Sequence, residues 1–334
     1  MVDPADEPVT LSVALASFNG ERYLAEQLSS IFAQSRLPTE IIVADDGSRD
    51  GTVDLVTEAF RTAATLGIRT SLLAGSAPLG VTANFARAIS ACSGELVVLC
   101  DQDDRWHEHR LRDAVDAFAR TPELLFRHEN ARLIDEGGAS LGETLFGALG
   151  ISAAECTAIN GDDAFALYLR RNLATGATVT FRRTLIDRAM PFPTEWVHDE
   201  WLAVIAAAIG RVAVSEVIRV DYRQHSGNEI GVKAPTLRYR IMRMLRSDPR
   251  RNAVLARRSQ ILADRLEGLP GVLPETSRLA EEKARFEQAR SRIPNRRFGK
   301  IPAIWRVNRG GRYARFASQG RLDIIRDLVR KAVN

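Results

Sequence analysis

Leu96-Val97-Val98-Leu99-Cys100-Asp101-Gln102-Asp103-Asp104-Arg105-Trp106 is the stretch on which the fold turns. Its first five residues are a continuous apolar run introduced by Ser93-Gly94, the pattern of a short strand buried on both faces of a parallel sheet, and three carboxylates follow at once. In open α/β sheets, ligands sit beyond the carboxyl ends of the strands, so these acids fall where such a fold keeps its site. Side chains alternate along an extended chain, which lets Asp101 and Asp103 point the same way and share one partner. Crowded carboxylates repel each other at neutral pH unless a proton or a cation compensates, and an all-oxygen cluster favours a hard ion such as Mg²⁺ or Mn²⁺. The competing reading is a polar loop in which one aspartate caps a helix starting near Trp106.

Three strand-and-helix pairs precede this run. Residues 11–16 are apolar and end in the turn Ser17-Phe18-Asn19-Gly20, after which Tyr23, Leu24, Leu28, Ile31 and Phe32 recur at helical spacing. Residues 41–44 form a second buried strand ending in Asp45-Asp46-Gly47-Ser48, and Asp50-Gly51-Thr52 opens a helix with Val53, Val56 and Phe60 on its apolar face. Residues 71–74 give a third strand and residues 81–91 a third helix. This βαβαβαβ order predicts a doubly wound, Rossmann-like, mostly parallel sheet whose strand tips collect two acid clusters and one polar turn. No G-x-G-x-x-G follows the first strand and no G-x-x-x-x-G-K-[ST] occurs, which argues against a dinucleotide dehydrogenase and a P-loop enzyme.

The motifs in order, Ala14-Leu15-Ala16-Ser17-Phe18-Asn19-Gly20, Asp45-Asp46-Gly47-Ser48-Arg49-Asp50-Gly51-Thr52 and Cys100-Asp101-Gln102-Asp103-Asp104-Arg105-Trp106, resemble the signatures of family 2 glycosyltransferases. The resemblance implies a GT-A fold and transfer from a nucleotide-sugar donor with inversion at the anomeric carbon. It implies that Ser17, Asn19, Asp45 and Asp46 line the nucleoside pocket, that Asn84 is a further donor-side residue, and that Asp101 and Asp103 hold the metal and the donor diphosphate. Arg110 stands where relatives often have lysine; His107 and His109 read as solvated additions. Residues 124–132 suggest another strand, and the Gly- and Ala-rich residues 135–165 a mobile loop near the acceptor.

The small-residue turn Thr175-Gly176-Ala177-Thr178 resembles the family's acceptor-side loop, where glycine allows close approach of backbone to substrate. Trp196-Val197-His198-Asp199-Glu200 then opens an alanine-rich helix ending at Gly210, and the resemblance makes Asp199 the catalytic base, with Glu200 as the next candidate. The same carboxylates would also favour a helix N-terminus. The ending Tyr222-Arg223-Gln224-His225 is similar to that of the family's rhamnosyltransferases, which implies Arg223 on the donor diphosphate and His225 as a nitrogen ligand to the metal. Those members usually carry a second Asn where Glu229 stands, which leaves the donor sugar open.

Composition divides the chain. Its 334 residues are 45% hydrophobic, enough for a real core, and the net charge is +4. Residues 1–232 hold 33 acids and 20 arginines with no lysine, whereas residues 233–334 hold 26 basic residues and 9 acids. This predicts an acidic catalytic domain over 1–232 and a basic helical region over 233–334 that meets a polyanionic surface. In the latter, Trp305, Tyr313 and Phe316 alternate with arginines as in an interfacial membrane helix. Cys92, Cys100 and Cys156 show no paired spacing, the acidic residues 1–7 do not read as a signal peptide, and no stretch approaches the ~20 apolar residues of a span. Cytoplasmic residence is expected, with peripheral attachment to an anionic membrane. The expected reaction is sugar transfer, best guess L-rhamnose from dTDP-rhamnose, to a hydroxyl of a glycan or lipid-linked glycan. A sugar nucleotidyltransferase would want a lysine-bearing phosphate loop, and a nucleic-acid-binding protein would leave the acid clusters without a task.

Overall fold

The computed structural model describes residues 9–225, 250–294 and 297–330. Glu229 and residues 233–249 of the expected helical region lie outside the described residues, as do residues 1–7. Two compact units are present. The first takes in residues 1–160, 174–206 and 210–233, and the second residues 161–173, 207–209 and 234–334.

In the first unit, β1 (Leu11–Ser17), β2 (Glu40–Asp45), β3 (Arg69–Ala74) and β4 (Leu96–Asp101) are all parallel, linked by α1 (Leu24–Phe32), α2 (Thr52–Thr65) and α3 (Val81–Ala91). All seven residues of β1 and all six of β2 are buried, which is why both read as unbroken apolar runs rather than alternating ones. β4 lies on the opposite side of β1 from β2 and β3, so the direction of winding switches at β1 and a crevice opens at its tip.

Beyond β4 the sheet becomes mixed. It continues through β5 (Arg105–Trp106), β6 (Leu124–Ile134), β7 (Ser140–Thr144), β8 (Val179–Arg182) and β9 (Arg211–Arg223) in the order β3-β2-β1-β4-β8-β6-β9-β5, with β7 paired to β6. β8 runs antiparallel to β4 (Val98 opposite Thr180), and β5 antiparallel to β9 (Arg105 opposite Asp221). Two expectations are corrected here. Trp106 belongs to β5 and the next helix, α4, spans Arg110–Arg120, because pairing with β9 extends the chain after the acid turn. Residues 135–165 are not a loop: they carry β7 and the helices Leu145–Leu149 and Ala153–Asn160, whose Leu145, Phe146, Cys156 and Ile159 are buried.

The second unit is helical, with Arg251–Glu267 beside Pro274–Ser291, then Arg297–Val307, Arg312–Phe316 and Leu322–Val329. Phe286, Ile293, Ile304, Val307, Tyr313 and Phe316 form its core. Tyr313 and Phe316 therefore do not serve an interfacial stripe, and only Trp305 of the three aromatics faces solvent. The three cysteines are buried and free. No helix among the described residues is long and apolar enough to cross a membrane.

Candidate active site

The tips of β1, β2 and β4 meet at the switch point. Asp45 is fixed by its own turn: Ser17 Oγ donates to Oδ2 at 2.9 Å, and the amides of Gly47 and Ser48 donate to Oδ1 at 3.1 and 2.8 Å. Asp46 accepts the amides of Leu79 and Gly80, both at 2.8 Å, and so holds the entry of α3. Asn84 on α3 is buried and reaches back to the carbonyl of Ala44 at 2.8 Å. Asn19 sits at φ 48°, a left-handed conformation that asparagine tolerates, and its Oδ1 accepts the amide of Arg49 at 3.0 Å. These donor-side candidates thus converge at one sheet edge, where they also organise the loops.

At the tip of β4, Gln102 clamps β1, accepting from the Phe18 amide at 2.8 Å and donating to its carbonyl at 3.1 Å. Asp101 is half-buried, while the carboxylate of Asp103 meets His225 Nε2 at 2.7 Å. Asp104 is buried; Oδ1 accepts the amide of Arg223 at 3.0 Å and Oδ2 has no hydrogen-bond partner among the described residues. Burial, then the charges of Asp103 and Asp101, pushes its carboxyl well above the usual carboxylate range.

Arg223, expected on the donor diphosphate, has its guanidinium engaged by the protein itself. It is buried, donating from Nε to the Asp103 carbonyl at 2.7 Å, from Nη2 to Glu26 at 2.6 Å and from Nη1 to the Glu136 carbonyl at 3.1 Å, with its guanidinium 4.8 Å from the Tyr23 ring centre. It pins the acid turn from behind. His107 and His109 are likewise not merely solvated, since His107 Nε2 meets Asp221 at 2.8 Å and His109 Nδ1 meets Ser35 Oγ at 2.9 Å. Arg110 is fully buried, stacked 4.0 Å from the Trp106 ring centre and paired with Glu129.

The late chain reaches this edge through β8. Because β8 runs back along β4, the turn that precedes it, Gly176–Thr178, arrives beside Asp101. There the Gly176 amide donates to Asp199 Oδ2 at 2.9 Å, and Asp199 Oδ1 accepts the Glu200 amide at 2.6 Å. A Cβ at residue 176 would lie 3.0 Å from His198 Nε2, so the glycine is what lets the helix start come this close. Thr175 closes the turn by accepting from Thr178, and Glu200 follows Asp199 at a half-buried position. Tyr222 is buried, and burial, then the charges of Asp101, Asp104, Asp103 and Asp199, pushes its hydroxyl well above the usual range.

Sequence reasoning missed Gln102, Glu26 and Tyr222. Gln102 stood inside the quoted run and could have been found there. The partnership of Glu26 with Arg223 has no local signal, because 197 positions separate them.

The Asp103 carboxylate and His225 Nε2, 2.7 Å apart, are an oxygen and a nitrogen donor at the turn where Asp101 stands. Among the described residues no three His, Cys, Asp or Glu side chains form a metal cage. A pair of protein donors suits an ion that takes its other ligands from substrate phosphates and water.

Residues 12–130 match the sequence profile of glycosyl transferase family 2. A glycosyltransferase of Nostoc sp. is 25% identical over 230 residues, 65% of this chain and 66% of that one. A dTDP-rhamnosyl transferase, RfbG of Shigella flexneri, is 31% identical over 121 residues, 35% of this chain and 38% of that one. The chain therefore aligns with less than two thirds of either curated relative. Among solved structures, residues 1–349 of Staphylococcus aureus TarS in complex with UDP-GlcNAc superpose with a TM-score of 0.59 at 17% identity, covering 96% of this chain and 90% of that fragment. The mannosyltransferase PcManGT from Pyrobaculum calidifontis, in complex with GDP-Man and Mn²⁺, gives 0.51 at 18% identity, covering 97% and 87%. The fold is that of the GT-A glycosyltransferases.

Proposed function

We propose that the protein is an inverting glycosyltransferase that moves a sugar from a nucleotide-sugar donor to an acceptor hydroxyl, with Asp199 as the base, a reading supported by the match of residues 12–130 to the glycosyl transferase family 2 profile. The observation that carries this reading is the Gly176–Asp199 hydrogen bond, which holds one carboxylate at the edge where Asp101 and Asp103 stand and yet apart from their turn. Asp199 takes the proton of the acceptor hydroxyl as that oxygen bonds the anomeric carbon. The bond from that carbon to the diphosphate breaks, its electron pair leaves on the diphosphate, and attack from the opposite face inverts the centre. Asp101, Asp103 and His225 would hold Mg²⁺ or Mn²⁺, which when bound supplies positive charge against the departing diphosphate.

Ser17, Asn19, Asp45, Asp46 and Asn84 form the nucleoside side of the pocket; Thr175, Gly176 and Glu200 border the acceptor. Arg223 acts as a positioning residue through the Asp103 carbonyl and the Asp104 carboxylate. The donor of first choice is dTDP-L-rhamnose, supported by the ending Tyr222-Arg223-Gln224-His225 and by the rhamnosyl relative. A growing, lipid-linked cell-surface glycan is the acceptor, reached by a cytoplasmic protein attached to the inner face of a membrane. The domain boundary is put near residue 232.

Thermal stabilisation by a panel of nucleotide sugars with Mn²⁺ tests the donor, and dTDP-rhamnose should give the largest shift. Chelation with EDTA should abolish transfer, and Mg²⁺ or Mn²⁺ should restore it. Asp199→Asn keeps the shape but cannot accept the proton, so turnover should drop by about two to four orders of magnitude while donor stabilisation is retained. Stabilisation by no nucleotide sugar, or near-normal turnover of the variant, would refute the reading.

A further inference from the structure

The helix Leu322–Val329 is inside out. Its inward face is acidic: Asp323 and Asp327 are fully buried, and Asp327 accepts from Arg290 Nε at 2.9 Å, Tyr313 Oη at 2.6 Å and Asn252 Nδ2 at 2.9 Å. Its outward face carries Leu322, Ile325, Leu328 and Val329, between 39% and 51% exposed, at the i, i+3, i+6, i+7 spacing of one stripe. A helix packed on a core normally turns its apolar stripe inward, and a contiguous apolar face left outside marks an interaction surface.

The helix Arg297–Val307 does the same in part. Ile304 and Val307 enter the core, whereas Ile301 and Trp305, one turn apart, are 68% and 69% exposed. The two helices adjoin, since Lys300 Nζ donates to the Leu328 carbonyl at 3.1 Å. Near these faces in the chain, Arg306, Arg309, Arg312 and Arg321 are exposed and make no ion pair among the described residues; the Arg309 guanidinium lies 5.5 Å from the Trp305 ring centre.

We propose that this face docks on the surface of an anionic lipid bilayer, with Ile301, Trp305, Leu322, Ile325 and Val329 entering the boundary between headgroups and acyl chains and the unpaired arginines meeting lipid phosphates. Charge complementarity and depth together select this occupant. Nucleic acid would satisfy the arginines but offers no hydrocarbon for the leucine and isoleucine stripe, whereas a bilayer interface offers both.

The test is co-sedimentation of the full-length protein with vesicles of phosphatidylcholine plus phosphatidylglycerol against phosphatidylcholine alone, read also by tryptophan emission. Trp106, Trp196 and Trp201 are buried, so a blue shift on binding reports Trp305. The expected result is binding to the anionic vesicles with a blue shift, release at high salt, and partition lowered about tenfold or more in the Leu322→Ser, Ile325→Ser variant. The circular dichroism and melting midpoint of that variant should match the parent, because both side chains face solvent. Equal binding to both vesicle types, binding without a blue shift, or unchanged binding by the folded variant would overturn the proposal. So would a self-association that the variant abolishes, which would give the face to a second copy of the chain. Empty vesicles carry no sugar acceptor, so the outcome is independent of the transferase reading.

Discussion

Neither ring nitrogen of His198 has a hydrogen-bond partner among the described residues, the ring stacks 4.1 Å from that of Phe85, and burial pushes its pKa down to about 3. His128, buried and then opposed by the charge of Arg127, is also lowered to about 3. Both are neutral in the native state, whereas in the unfolded chain a histidine titrates near pH ~6.5. Below that pH the unfolded chain takes up protons that the native state refuses, so this stability is complete above about pH 6.5 and is lost as pH falls toward 3. His198→Phe preserves the stack and removes the titration. Its melting midpoint should fall less steeply than that of the parent between about pH 6.5 and 5, because the carboxylates titrate alike in both and cancel in the comparison. An unchanged slope would show that His198 is not buried neutral.

At the scale of elements, one carboxylate reinforces the backbone pairing of β5 with β9. Asp221 is buried and receives Arg105 Nη2 at 2.6 Å, Arg132 Nε at 2.8 Å and His107 Nε2 at 2.8 Å. Burial raises its pKa, but hydrogen bonds from His107, Arg132 and Arg105 outweigh that and hold it well below the usual carboxylate range. Its contribution is therefore present above about pH 4 and is lost only as pH falls through the lowered native value. Asp221→Ala would take the shared carboxylate from Arg132 and His107 and leave Arg105 to Glu26. The expected cost is about 2–4 kcal/mol, less than for a fully buried pair because Arg105 and Arg132 keep contact with water. Urea denaturation would read this as a lower midpoint, and a shift corresponding to less than ~1 kcal/mol would mean that the strand pairing holds without it.

For the whole molecule, charge counted along the chain overstates the charge the C-terminal region presents. Of its basic residues, Lys283, Arg290, Lys300 and Arg330 are buried and bound within the helical unit. Arg290 is the hub, paired with Glu287 at 3.0 Å and Asp327 at 2.9 Å and lying over the rings of Phe286 and Tyr313. Arg290→Ala strands Asp327 without its cation and leaves Glu287 to Lys283 alone, and should cost about 3–5 kcal/mol, seen as loss of cooperative melting by circular dichroism. Full retention of the midpoint would show that the network is dispensable.

Short-range information in the sequence determined the parallel half of the sheet. The runs at 11–16, 41–44 and 96–100 are buried on both faces, and a strand so placed must be apolar at every position, which leaves a signal free of long-range context. The acid clusters at the strand tips were legible for the same reason, since the end of each run fixes where its polar residues fall. Only the tertiary structure decided what Arg223 does, that Trp106 pairs with β9, that residues 135–165 are ordered, and that the helix Leu322–Val329 turns its apolar stripe outward. Each depends on a partner far along the chain: Glu26 for Arg223, Val220 for Trp106, Arg290 for Asp327. An amphipathic pattern marks two faces of a helix without saying which one the core receives. For Leu322–Val329, a buried arginine on another helix settles it, because Arg290 is neutralised inside by Asp323 and Asp327 of this helix together with Glu287.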